Sequence, residues 1–135
     1  MANAIYTAAK KALLDGDIDL LVNDIKAVLV DTNDYTHNIA TNDFLDDISA
    51  GVVATSANLA NKTSTGGVFD ADDVVFSTVT GDVCEAVVLY VDTGVASTSR
   101  LIAFFDTGVG LPVTPGGGNI TITWSNGANK IFSLT

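Results

Sequence analysis

The chain carries one histidine, His37, one cysteine, Cys84, and one glutamate, Glu85; every other acid is an aspartate. A Ser-His-Asp triad needs a histidine whose ring is framed between nucleophile and carboxylate. His37 lies in the polar stretch Thr36-His37-Asn38 and reads as a solvated loop residue. Cys84 opens the most apolar segment of the chain, where a thiol is an inert small hydrophobe with a raised pKa. Glycoside hydrolysis needs two carboxyl groups, one of them in an apolar pocket. Glu85 alone has that setting, and one acid is not a pair. These residues predict no enzyme and no cofactor.

The aspartates come in clusters. Asp15-Gly16-Asp17-Ile18-Asp19 alternates carboxylates, and Asp70-Ala71-Asp72-Asp73 gathers Asp70, Asp72 and Asp73 into one turn. A hard cation such as Ca²⁺ takes about six to eight oxygens, so Asp70, Asp72 and Asp73 are weak candidate ligands. Neither cluster has the glutamate or glycine placement of an EF-hand loop. Both are read as turn and cap aspartates facing water, with no metal. Pro115-Gly116-Gly117-Gly118 would cradle phosphate only if a Lys-Ser/Thr pair and a helix followed. The chain instead enters an alternating stretch, so this segment is read as a turn.

These residues must be positioned by a chain of 135 residues, 47% hydrophobic, with a formal net charge of −10. That length predicts a single domain over 1–135, with an N-terminal arm and helix at 1–15 and a β-core at 24–135. The acidic balance is repelled by phosphate backbones and anionic lipid, which argues against nucleic-acid and membrane-surface partners. Met1 to Leu14 lacks the basic start and unbroken apolar run of a signal peptide, so a reducing cytoplasm is expected for folding. Cys84 excludes an internal disulfide.

The hydrophobic pattern predicts the elements. Ile5, Ala8, Ala9, Ala12 and Leu13 fall on one helical face, predicting a helix over Asn3 to Leu14 with Asn3 as its cap and Asp15-Gly16 as its stop. A second short helix is expected over Asn42 to Ile48. Strands are expected at Ile25–Val30, Gly51–Ser56, Val74–Val79, Cys84–Val91 (the central one), Leu101–Phe105 and Asn119–Trp124. Asn126-Gly127 is a hairpin signal that would return the chain as Lys130–Leu134. About seven or eight strands after one helix predict an all-β fold. An antiparallel, jelly-roll-like β-sandwich with a short N-terminal α-helix is the first reading, an immunoglobulin-like sandwich the second.

Several stretches carry a resemblance in order along the chain: Met1 to Tyr6, Lys26 to Asp31, Tyr35, Phe44 to Ile48, Val53 to Ser56 and Gly67 to Val74. It continues through Asp92 to Gly94, Ser99 to Ala103, Gly110 to Pro115, and Ile131-Phe132. In these the chain resembles a family of small tailed-bacteriophage virion proteins akin to capsid decoration (cement) proteins. The resemblance implies a homo-oligomer, a trimer, that binds the major capsid protein on the virion surface after synthesis in the bacterial host cytoplasm. It implies no catalytic residues. The contact surface expected for that role is Asn3, Ile5, Tyr6, Ala9 and Leu13 of the arm and helix, with Pro112, Pro115 and Gly116 of the glycine-rich loop. A tail or head-fibre component is the nearest alternative. A carbohydrate-binding sandwich stacking sugars on Trp124, Tyr35 or Tyr90 is the other, although Trp124 keeps register with Ile120 and Ile122 and is expected in the core.

Overall fold

A computed structural model describes residues 3–107, 110–125, 127–128 and 130–133. Among them the chain is mainly β, with antiparallel sheets and one α-helix. The strands are β1 (Ala4–Ile5), β2 (Ile25–Val30), β3 (Val52–Thr55), β4 (Val68–Phe69) and β5 (Val74–Phe76). They continue as β6 (Ala86–Val91), β7 (Leu101–Phe105), β8 (Ile120–Ile122) and β9 (Phe132–Ser133), and α1 spans Thr7–Asp15. Five strands form one sheet in the order β1-β7-β6-β2-β3, while β4 pairs with β9 and β5 with β8.

β6 is central, as its unbroken apolar run requires, because a strand flanked on both edges and covered on both faces has no polar side to offer. Residues 27–30, 86–90 and 101–104 are all buried. Side chains alternate across a sheet, so the register puts Leu29, Val87 and Phe105 on one face and Val28, Val88 and Phe104 on the other. The neighbouring residues Phe104 and Phe105 thus serve opposite faces. Phe104 meets the ring of His37, and Phe105 meets Trp124 with ring centroids 5.9 Å apart.

The predicted N-terminal helix starts late. Ala4 and Ile5 pair with Phe104 and Ala103 as an edge strand, and the Tyr6 N–H donates to the Ile102 carbonyl at 3.0 Å, so these residues cannot coil. Asn3 caps no helix. Its Oδ1 accepts from the Asp106 and Thr107 N–H groups at 2.9 and 3.1 Å, and its Nδ2 donates to the Thr107 carbonyl. The stop is as expected: Gly16 is left-handed (φ = 80°) and donates to the carbonyls of the last turn.

The helix expected over Asn42 to Ile48 is replaced by two 3₁₀ turns, Leu45–Asp47 and Ser49–Gly51. Its backbone is claimed from outside: Leu45 N–H donates to Ser99, and the Asp43 carbonyl accepts from Leu101. The Asp47 carboxylate takes the Asp43 and Phe44 N–H groups, which draws its pKa down. Gly51 is obligatory here, since a Cβ would lie 2.5 Å from the Tyr35 ring and 2.6 Å from the Asp31 carbonyl.

Among the described residues the expected C-terminal hairpin does not form as a strand pair. β8 pairs with β5 and β9 with β4, bringing Phe69 and Phe132 to 5.3 Å. Asn126 and Leu134, on which that expectation partly rests, lie outside the described residues. Long-range burial of aromatic side chains outweighs a local turn preference.

Candidate functional site

The structure gathers chemistry-bearing side chains in three places. The first surrounds His37, which is not solvated as its polar neighbours suggest. Its ring stacks on Phe104 at 3.9 Å, and the edges of Tyr6 and Tyr35 meet it with centroids 6.2 and 6.4 Å away. Both imidazole nitrogens and both tyrosine hydroxyls are buried without a hydrogen-bond partner among the described residues. Burial lowers the His37 pKa, against an opposing pull from Asp106. Burial raises the Tyr6 pKa far above the ordinary phenol and pushes Tyr35 up to about 12. A ring so enclosed, with no hydroxyl or carboxylate hydrogen-bonded to it, packs as an aromatic side chain and is not aligned as a base.

The second is acidic. Asp31 follows β2, Asp34 lies in the same turn, and Asp82 precedes β6; their carboxylate oxygens lie within 4.8 Å of one another. Asp31 is buried and accepts from the Asn33 N–H at 2.9 Å, while Glu85 nearby accepts from the Thr32 N–H and hydroxyl. Three carboxylates supply part of a hard-cation shell. Sequence reasoning missed this convergence because Asp82 is distant along the chain. The signal was the antiparallel pairing of Val30 with Ala86, which brings the flanking turns together.

The aspartates singled out from the sequence do not converge. The Asp72 carboxylate accepts from Asn61 Nδ2, the Asp73 carboxylate accepts from the Trp124 N–H at 2.9 Å, and the Asp70 backbone pairs with Thr63. Asp19 accepts from the Leu21 and Val22 N–H groups, and Asp15 pairs with Lys11. Asp19 shapes a turn, whereas Asp72 and Asp73 tie distant segments together. Cys84 is buried and paired with Val113 through two backbone hydrogen bonds, and burial, with help from Glu85, Asp31 and Asp82, pushes its thiol up to about 11.

The third place is a cavity of about 410 Å³ between the Phe105 face of the large sheet and the segments around Trp124 and Ile131. Trp124 is 8% exposed, and its indole N–H donates to the Asp72 carbonyl at 3.1 Å. It lines the cavity wall from a core register. Tyr90 is buried and Tyr35 half-buried, so neither offers an open stacking face.

Of the expected contact residues, Tyr6 and Ala9 are wholly buried in the molecule's own core, Ile5 and Leu13 are half-buried, and Asn3 is exposed. Pro112 and Gly116 are exposed and Pro115 is half-buried, in a loop pinned where the Gly117 N–H donates to the Val79 carbonyl and the Val79 N–H to the Gly118 carbonyl. The surface that the sequence did not single out is apolar: Leu14, Leu21 and Val22 are 89%, 47% and 76% exposed around the end of α1. No protein-family model matches the chain, and no curated protein is significantly similar to it.

Proposed function

We propose that this chain is a structural protein of a bacteriophage virion, a capsid decoration protein that forms homo-oligomers, trimers, and binds the major capsid protein lattice. The observation that carries the reading is the exposure of Leu14, in the last turn of α1, and of Leu21 and Val22, in the turn that follows along the chain. Water-exposed apolar groups of this size, held out by a turn that Asp19 ties down, suit cover by another protein surface. The ordered resemblance along the chain supplies the kind of assembly. Repeated symmetric contacts give such a protein its binding energy, and its role makes and breaks no bond. On this reading the two small sheets stack over the Phe105 face as the second layer of a jelly-roll-like sandwich, supported by the packing of Trp124 on Phe105.

Because Tyr6 and Ala9 belong to the core, removing the arm would damage the fold, and point substitutions make the better test. The purified chain is expected to sediment as an oligomer and to rebind capsids stripped of it. Leu14→Glu with Val22→Glu should dissociate it and abolish rebinding while leaving its melting temperature nearly unchanged. A wild-type monomer with no affinity for capsids overturns the proposal. Localisation on the particle separates a capsid position from a tail or head-fibre one.

A further inference from the structure

We infer that the cavity beside Trp124 is a binding site for a small organic anion with a flat apolar body. The inference stands independently of the virion reading. At about 410 Å³ the cavity lies within the ~300–1,000 Å³ range of small-molecule sites. Val87, Phe105, Leu111, Ile122, Trp124 and Ile131 supply its apolar walls, and Asn3, Thr107, Thr123 and Ser125 line it as well. The apolar walls suit a hydrocarbon or aromatic body, and of the polar residues the Asn3 amide is already engaged by Asp106 and Thr107.

Two features make the site specific. The indole of Trp124 is held at both ends, its backbone N–H on the Asp73 carboxylate and its ring N–H on the Asp72 carbonyl. With Phe105 it forms a wall that is rigid before a ligand arrives, which reduces the ordering lost on binding. Lys130 also lines the cavity. In a chain with 6 basic and 16 acidic residues, the described lining includes this ammonium and no carboxylate. Lys130 holds a left-handed backbone, φ = 47°, which a side chain other than glycine rarely adopts. Positive charge beside apolar walls selects an anionic head on an apolar body.

The test uses the full chain with 1-anilinonaphthalene-8-sulfonate as the anionic probe and N-phenyl-1-naphthylamine as its uncharged counterpart. Trp124 is the only tryptophan, so energy transfer from it to the probe follows binding, and the cavity variants assign that binding to this site. One saturable site is expected, binding the sulfonate about five-fold more tightly than the neutral probe. Lys130→Met should remove that preference, and Leu111→Asp should weaken both probes by about ten-fold. Val95→Ser, at an exposed valine outside the cavity lining, should change neither. Non-saturable binding, an unaltered preference in Lys130→Met, or a loss in Val95→Ser overturns the inference. Melting curves check that Leu111→Asp is folded, and Lys130→Met decides the matter if it is not.

Discussion

His37 shows how a residue's environment, more than its sequence neighbours, sets its chemistry. Thr36 and Asn38 are exposed, yet the ring between them turns inward onto Phe104 and has Tyr6 and Tyr35 at its edges. Burial favours the neutral imidazole, so the folded-state pKa lies below the ordinary 6.5. Asp106 opposes the shift without cancelling it, and the two tyrosines stay protonated throughout the relevant range. In the window between the folded and unfolded pKa values the unfolded chain binds more protons, and stability rises with pH. The stabilisation is therefore full above pH 6.5 and is lost as the pH falls through that value toward the folded pKa. Urea denaturation between about pH 8 and pH 5 should show this slope, and His37→Phe should flatten it. A wild-type slope of the opposite sign would mean that Asp106 outweighs burial.

At the scale of elements, the strongly periodic segments were legible and the short ones were not. β6 and β7 declared themselves through unbroken apolar runs, and β2 through a run broken only by Lys26, as a doubly covered sheet requires. The stop of α1 at Gly16 was equally plain. Its start was hidden, because Ala4 and Ile5 suit a helix face as well as they suit an edge strand, and only the presence of β7 decides between them. The partner of β9 was hidden for the same reason: Asn126-Gly127 argued for a local hairpin, but Phe132 is placed against Phe69. Among candidate sites, the aspartates of neighbouring positions were visible, but of these Asp19 forms a turn while Asp72 and Asp73 bind distant segments. Asp31 and Asp34 share a turn, but Asp82 joins them only through strand pairing, which no local pattern encodes. The β4–β9 pair depends on its aromatic contact, so Phe132→Ala should cost about 3 kcal/mol of stability. Hydrogen exchange should then show β4 and β9 losing protection before β6 does. Uniform loss across all strands would show that the small sheet is not a separable layer.

For the whole molecule, the dominant electrostatic fact is a net charge of −10. Lys26 and Asp92 form a half-buried ion pair at 3.0 Å, and Lys11 and Asp15 an exposed one that contributes little. Repulsion among the remaining carboxylates acts on the compact state and on any contact between copies. Raising sodium chloride from about 10 mM to about 500 mM shortens the Debye length from ~30 Å to ~4 Å. The melting temperature should then rise by about 3 °C, and self-association should strengthen. A fall in melting temperature with salt would show that the ion pairs govern instead.

The clasp between Asn3 and the end of β7 spans 103 residues of sequence. During synthesis the opening strand therefore leaves the ribosome long before its pairing edge has been made. Until that edge emerges, Tyr6 and its neighbours have no core to enter. β2, β3 and β6 can pair before then, so the arm closes the β7 edge of the sheet as a late step.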